Sequence, residues 1–192
     1  ASMFIGGLRA LLLQSLHPVA MAGVATHSDY RNDPWGRLQR TADFLAATTF
    51  GSAVTAQHAV DRVRAVHERV RGVTSDGVPY SANDPHLLRW VHVAEIDSFL
   101  AAHQRFGLDP LDQHGRDAYV ADTAKIARAL GVPAPPTSEQ SLRDQLRMFR
   151  SELRSSKEAR DAARYLVLTP PLPFAARMGY SAIAAAAVST LP

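Results

Sequence analysis

Residues 84–107 read DPHLLRWVHVAEIDSFLAAHQRFG. Asp84 is a residue type that caps helices, and Pro85 is favoured at the first helical position. Apolar side chains then recur with helical spacing as far as Phe106, and Gly107 is a typical residue just beyond a helix end. The stretch therefore predicts one long helix over residues 85–106.

The same signals recur on both sides of this helix. Asp33-Pro34 predicts a helix over 34–50 that ends at Gly51, and the next helix is expected over 52–71. His17-Pro18 predicts a helix end, because a residue before proline avoids the α region. No stretch shows the period-2 pattern of a strand, so the sequence predicts an all-α fold of about nine helices. The remaining helices are expected over 8–16, 19–26 and about 111–130, 138–153, 157–168 and 174–190.

The composition favours one domain over residues 1–192, since 46% of the residues are hydrophobic and 20% are charged. The chain contains no cysteine. Disulfides, thiolate metal sites, iron–sulfur clusters and cysteine nucleophiles are thereby excluded. A metal or cofactor has to be bound through His, Asp, Glu, Met or Tyr.

Charge and hydropathy also limit the partners that we expect. The net charge is +3, and the densest group of arginines shares its helix with Asp61 and Glu68, which is typical of a solvated face. We therefore expect no nucleic-acid binding. The uncharged stretch 179–191 is shorter than the roughly 20 residues of a membrane helix, so we expect no integral membrane span. The N-terminal residues lack signal-peptide regions, which favours a cytoplasmic location.

His67 is the first candidate for chemistry. Val60 and Val63 stand seven and four residues before His67, and Val70 stands three residues after it. This spacing places His67 on the apolar stripe of its helix. Two interpretations stay open on this spacing. His67 is either a buried core histidine bonded to a carbonyl or a ligand of a metal or haem iron.

Arg37, Arg40 and Thr41 form the second candidate group. Their spacing projects them from one side of the helix predicted over 34–50. Two arginines and a hydroxyl on one edge can bind carboxylates or propionates, or donate hydrogen bonds to bound oxygen. The alternative is a solvated face with an inward-pointing threonine.

His92 shares a helical face with Glu95, Phe99 and His103. A di-iron site needs Glu-x-x-His on two helices, and the chain has no such motif. A zinc-protease motif is also absent, because His67-Glu68 is followed at the required position by Arg71. We interpret His92 as a core histidine or one that supports a ligand, with direct ligation as the alternative.

Six motifs together resemble the family that includes latex-clearing protein and the oxygenase MpaB. The resemblance covers roughly residues 5–107. The motifs are GLRALLLQSLHP (7–18), HSDY (27–30), DPWGRLQRT (33–41), VHERVRG (66–72), YSANDP (80–85) and WVH (90–92).

The resemblance implies an all-α fold, a b-type haem and cleavage of carbon–carbon double bonds with dioxygen. His67 matches the proximal iron ligand of that family. Arg37 and Thr41 match residues that contact the opposite side of the haem, where Arg40 is expected to join them as a third catalytic residue. His92 is expected to lie near the cofactor.

Two departures from the family pattern bear on the substrate. Latex-clearing members carry a lysine where this chain has Arg40, whose guanidinium stays protonated and is a poor iron ligand. The segment Val19–Gly23 lacks the acidic residue of rubber-cleaving members. We therefore expect a small hydrophobic substrate, unsaturated or terpenoid-like, rather than polyisoprene. The alternative is a non-enzymatic ligand-binding or scaffold protein that retains the fold without haem. The start of the chain close to the first motif suggests a truncated or divergent N-terminus.

Overall fold

The computed structural model describes residues 2–28 and 32–192, apart from the side chains of Trp35 and Phe174. Asp29 and Tyr30, in the motif HSDY, therefore lie outside the described residues. Nine α-helices occupy most of the described chain, so the predicted all-α fold is confirmed. The elements are α1 (Ser2–Ser15), α2 (Pro18–His27), α3 (Pro34–Phe50), α4 (Ala53–His67), β1 (Arg71–Val73), β2 (Pro79–Ser81), α5 (Pro85–Phe106), α6 (Gln113–Leu130), α7 (Glu139–Met148), a short 3-10 helix (Phe149–Ser151), α8 (Lys157–Val167) and α9 (Phe174–Ser189).

The helix ends follow local capping signals. Asp33 Oδ1 accepts a hydrogen bond from the Gly36 backbone N–H at 2.9 Å, which starts α3. Asp84 Oδ1 accepts one from the His86 backbone N–H at 2.8 Å, which starts α5. Gly107 N donates to the carbonyl oxygen of His103 at 2.7 Å as α5 ends. These caps satisfy backbone groups that have no partner within the helix, and they confirm the predicted bounds of both helices.

Helices α1 and α5 pack closely along the centre of the fold. A Cβ atom added to Gly6 would lie 2.8 Å from Phe99 Cδ1 and 3.1 Å from Phe99 Cα, so only glycine permits this approach. Buried hydrophobic clusters form on both sides of the pair, and each includes residues of α5. One cluster contains Ile5, Leu8, Leu12, Ala102, Ala184 and Ala187, a second contains Val93, Ile96, Leu100, Val120 and Leu142, and a third contains Leu13, Trp90, Ala94 and Phe149.

Helix α4 is shorter than its sequence pattern predicts. It ends at His67, and Arg71–Val73 instead pairs antiparallel with Pro79–Ser81. The expectation that no strand occurs was therefore wrong here. Gly72 lies opposite Tyr80, and a Cβ at Gly72 would stand 2.7 Å from the buried Tyr80 hydroxyl oxygen. The close approach of the Tyr80 ring to this backbone explains why position 72 of the strand has no room for a side chain.

Helices α3 and α4 form an antiparallel hairpin, joined at Gly51-Ser52. The two helices pack against each other, and α4 also contacts α6. Among the described side chains of the hairpin, only Val60 is fully buried. Leu38 is 49% exposed and Phe50 is 85% exposed. The hairpin is thus attached to the remaining helices mainly along one edge.

Helices α1 and α2 meet at a sharp corner. His17 is the N-cap of α2, and Pro18 is its first residue. Within the ranges 2–28 and 32–192, no single helix is both long and apolar enough to cross a membrane. The pair α1 and α2 reaches that apolar length only together, and the two helices are bent by 107° at their junction.

Candidate functional site

The structure places Arg37 and Thr41 together on α3, as their spacing predicts. Arg37 is half-buried, and its Nη1 donates to Ser28 Oγ at 3.0 Å. The Thr41 hydroxyl donates to the carbonyl oxygen of Arg37 at 3.0 Å, which leaves its oxygen available as an acceptor. Arg37 therefore links α3 to the end of α2.

Arg40 has a different environment from Arg37. Its side chain is 67% exposed, and Nη1 lies 3.1 Å from Asp33 Oδ2. The pKa of Asp33 is held below its ordinary value, first by the Gly36 backbone N–H and then by Arg40. Arg40 thus fits the solvated-face interpretation, because its partner is the exposed carboxylate that caps α3.

His67 is the last residue of α4 and is half-buried. Burial lowers its pKa below the ordinary 6.5, so the imidazole is neutral at pH 7. Val60 is buried as predicted, but Val70 lies beyond the helix end, where its N–H donates to the carbonyl oxygen of His67 at 3.1 Å. The apolar stripe around His67 is therefore shorter than predicted, although the histidine keeps the uncharged form that binds metals.

The hairpin brings the two candidate groups to the same end. Arg37 and His67 stand at about equal distances along the chain from the turn at Gly51-Ser52. Both residues therefore lie towards the open end of the hairpin, away from its turn. Leu38 and Val66, their neighbours in sequence, are 49% and 45% exposed. This end of the hairpin therefore combines a cationic side chain, a neutral imidazole and accessible apolar surface.

His92 lies on another part of the molecule. It occupies the middle of α5, whose main partners are α1, α6, α7 and α2. Its Nε2 is buried and has no hydrogen-bond partner among the described residues. Burial lowers its pKa to about 4. His92 therefore lies on a different helix from Arg37, Thr41 and His67, and its place near a cofactor stays a prediction.

Glu95, one turn beyond His92, is a further buried titratable group on α5. Burial raises its pKa to about 7. The pKa of Tyr119 on α6 is raised by burial and, to a smaller extent, by the charge of Glu95. The α5–α6 interface therefore favours the uncharged forms of Glu95 and Tyr119.

A cluster of three polar side chains, His17, His86 and Glu152, was not predicted as a site. Glu152 Oε2 lies 3.2 Å from His17 Nε2 and 2.8 Å from His86 Nε2. The three ligand-type atoms all lie within 4.8 Å of one another. The sequence indicated only a helix end at His17. Because Glu152 lies 135 residues further along the chain, no local sequence pattern could show that the two side chains meet. Two histidines and a carboxylate that converge in this way can bind a divalent metal ion.

Two cavities are clearest in the structure, and neither is lined by His67, Arg37 or Thr41. One of about 300 Å³ is lined by Asp161, Arg164, Tyr165 and Thr169. The other, of about 180 Å³, is mainly apolar and lies between α1, α7 and the C-terminal residues. Its lining includes Leu16 and Leu153, the sequence neighbours of His17 and Glu152.

The fold places the chain among all-α proteins, and its neutral, partly buried histidines are of the kind that bind metal cofactors in helical enzymes. Residues 1–192 match the family described as "ER-bound oxygenase mpaB/B'/Rubber oxygenase, catalytic domain". Because the match covers the whole chain, the chain belongs to this oxygenase family, and the resemblance of its motifs is confirmed.

Two curated relatives carry no functional description. The uncharacterized protein Mb2261 of Mycobacterium bovis and the uncharacterized protein Rv2237 of Mycobacterium tuberculosis are each 31% identical to the chain over 100 residues. The alignment covers 52% of this chain and 39% of each relative. The matched part is therefore about two fifths of the length of these relatives. No solved structure matches the chain significantly.

Proposed function

We propose that this chain is the catalytic domain of a haem-b-dependent oxygenase in which His67 binds the iron. One observation carries the proposal. A neutral, half-buried imidazole lies at the same end of the α3–α4 hairpin as Arg37 and Thr41, in a chain that matches an oxygenase family throughout. When bound, haem iron would supply the activation of dioxygen.

The state of His67 fits a role as an iron ligand. A metal binds the unprotonated nitrogen of a neutral imidazole, and the lowered pKa of His67 keeps the ring neutral at pH 7. Half-burial also limits competition from water for the ligand position.

Arg37 and Thr41 would provide polar groups beside the bound haem. The guanidinium of Arg37 can bind a propionate or orient a bound anion, because it carries several N–H donors in fixed geometry. The Thr41 hydroxyl oxygen can accept a hydrogen bond while its proton is held by the Arg37 carbonyl oxygen. Arg40 has a smaller part, since its side chain is 67% exposed and lies beside Asp33 at the surface.

The exposed apolar surface beside these residues supports a small hydrophobic substrate. Leu38 and Val66 present large apolar side chains at this end of the hairpin. Apolar surface next to a few placed polar groups is typical of small-molecule sites. Unsaturated or terpenoid-like molecules match this chemistry, and they match the family reaction that consumes dioxygen.

Haem titration of the purified chain tests the proposal. We expect one haem per chain with a Soret band, and we expect His67→Ala to lose stoichiometric binding while circular dichroism stays helical. His58→Ala, an exposed histidine on the same helix, is the matched control and should bind haem like the parent. A parent that takes up no haem would instead support the non-enzymatic ligand-binding or scaffold alternative.

A further inference from the structure

We infer that His17, His86 and Glu152 form a binding site for one divalent metal ion, Zn²⁺ or Fe²⁺, that is separate from His67. We call these three residues the metal triad. The inference does not depend on haem binding, because no residue of the metal triad belongs to the α3–α4 hairpin.

The distances from Glu152 to the two histidines are close to the spacing that a metal ion imposes on its ligands. Zinc bonds to nitrogen and carboxylate oxygen are about 2.0–2.2 Å long, so a tetrahedral ion holds its ligand atoms about 3.3 Å apart. Glu152 Oε2 stands 3.2 Å and 2.8 Å from the two Nε2 atoms. Both Nε2 atoms therefore stand at about this spacing from the same oxygen, and all three ligand-type atoms lie within 4.8 Å of one another.

The donor set also fits such an ion. Imidazole nitrogen and carboxylate oxygen suit Zn²⁺ and Fe²⁺, and two histidines with one carboxylate leave further coordination positions open. His17 Nδ1 accepts a hydrogen bond from the Ala20 backbone N–H at 3.4 Å, so a neutral His17 ring has its proton on Nε2, from which it donates to Glu152 Oε2. An ion at Nε2 would displace this proton, and a neutral ring would then carry its proton on Nδ1 in place of the hydrogen bond from Ala20. The carboxylate of Glu152 would supply negative charge to the ion.

Three separate backbone segments hold the metal triad in place. His17 lies at the corner between α1 and α2, His86 in the first turn of α5, and Glu152 directly after the 3-10 helix. The Arg154 N–H donates to the carbonyl oxygen of Leu16 at 2.7 Å, which ties the segment that carries Glu152 to the corner that carries His17. A site fixed in this way loses little entropy when an ion binds.

Aromatic rings orient the two imidazoles. The centroid of His86 is 4.8 Å from that of Phe149, and the centroid of His17 is 6.0 Å from that of Trp90. The site is closed on the side of these rings and open on the other. The side chain of His17 is 4% exposed, whereas those of His86 and Glu152 are 52% and 38% exposed. An ion would therefore enter from solvent and keep a position for water or a small ligand.

Cobalt titration tests the site, because Co²⁺ replaces Zn²⁺ or Fe²⁺ in such ligand sets and absorbs visible light when four- or five-coordinate. The full chain, without an affinity tag and stripped with a chelator, is titrated with Co²⁺ in the absence of haem. We expect one Co²⁺ per chain. Competition with Zn²⁺, and with Fe²⁺ under anaerobic conditions, then shows which of the two ions the site prefers.

Variants assign the signal to the metal triad. Glu152→Gln preserves the shape of the side chain, and His86→Ala changes a half-exposed residue, so both should stay folded. Each should weaken Co²⁺ binding by at least about tenfold, since even residues that only support a ligand contribute that much. His58→Ala should bind Co²⁺ like the parent, and His67→Ala should too, which separates this site from the proposed haem ligand.

Two results would overturn the inference. One is the absence of stoichiometric Co²⁺, Zn²⁺ and Fe²⁺ binding by the parent. The other is binding that survives unchanged in both Glu152→Gln and His86→Ala. In either case the three side chains form a hydrogen-bonded connection between α2, α5 and the 3-10 helix.

Discussion

Arg9 of α1 and Asp97 of α5 form an ion pair of 2.7 Å between Nη1 and Oδ2, although only 3% of Arg9 is exposed. Arg9 Nη1 also donates to Ser98 Oγ at 2.7 Å, and its Nε donates to the carbonyl oxygen of Thr190 at 2.9 Å. A charged side chain is tolerated in this interface because it has a counter-ion and hydrogen-bond acceptors. Arg9 thereby connects α1, α5 and the end of α9.

Removal of the counter-ion should destabilise the fold strongly. Asp97→Ala leaves the Arg9 guanidinium buried without a negative partner, and breaking such a pair costs about 3–5 kcal/mol. Urea unfolding followed by circular dichroism measures the loss. Asp122→Ala is the control, because Asp122 pairs with Lys125 where both side chains are 72% exposed, and we expect less than about 1 kcal/mol there. Similar losses in both variants would contradict a special role for the Arg9–Asp97 pair.

Alanine substitutions at the two adjacent glycines of α1 should change the stability of the fold in opposite directions. Gly6→Ala forces a methyl group against the Phe99 backbone, and overpacking of this kind typically costs about 1–3 kcal/mol. Gly7 has no neighbouring atom within 4 Å of an added Cβ, so Gly7→Ala should stabilise the helix by about 0.5–1 kcal/mol. Thermal or urea unfolding of both variants is the measurement. A loss of stability in Gly7→Ala that equals the loss in Gly6→Ala would contradict the close approach of α1 to α5.

His92 and Glu95 should give opposite pH dependences of the unfolding free energy. The pKa of His92 falls from 6.5 to about 4 on folding, so stability is lost as the pH falls from 6.5 towards 4. The pKa of Glu95 rises from 4.5 to about 7, so stability is lost as the pH rises from 4.5 towards 7. Each slope is about 1.4 kcal/mol per pH unit, and the two largely cancel in the parent between pH 4.5 and 6.5.

Single substitutions should reveal each slope relative to the parent. In His92→Leu the effect of Glu95 remains, and the unfolding free energy should fall as the pH rises through this window. In Glu95→Gln the effect of His92 remains, and the unfolding free energy should rise over the same window. Denaturant titrations at four pH values between 4.5 and 6.5 provide the measurement. Curves parallel to that of the parent in both variants would contradict the burial of these groups.

Substitutions of Arg37 and Thr41 on α3 should change the binding of small ligands to haem more than the binding of haem to the chain. If haem is bound as proposed, Arg37→Ala and Thr41→Ala should retain the Soret band but weaken cyanide binding. Arg37→Ala should weaken it about tenfold or more, because a hydrogen bond to a charged group is worth about 1.5–3 kcal/mol. Arg40→Ala should have a smaller effect, since Arg40 pairs with Asp33 at the surface. A larger effect in Arg40→Ala than in Arg37→Ala would contradict this order.

Most of the helical fold was predictable because its signals are local. Asp33-Pro34 and Asp84-Pro85 each combine a side-chain cap with a residue that favours the first helical position. The strand Arg71–Val73 was not predictable, since three residues are too short to show a period. Its conformation depends on Tyr80, which packs on Gly72 only in the folded chain.

The candidate site was predictable only where its residues share one helix. Arg37 and Thr41 lie on one edge of α3 because four residues make about one helical turn. The spacing alone could not show that Arg40 is exposed beside Asp33 while Arg37 is half-buried, because both contacts depend on side-chain direction. The convergence of His17 and Glu152 depends on how distant segments pack, and no local pattern records it.

The shallow attachment of the α3–α4 hairpin has a consequence for its dynamics. With Val60 as the only fully buried side chain among those described there, the hairpin has little buried apolar area to resist opening. Local opening of the hairpin therefore needs less free energy than opening of α1 or α5. The backbone amides of the hairpin should exchange hydrogen sooner than those of α1 and α5. A ligand that binds the folded hairpin would oppose its opening, so slower amide exchange across both helices would report binding even by a ligand that absorbs no light.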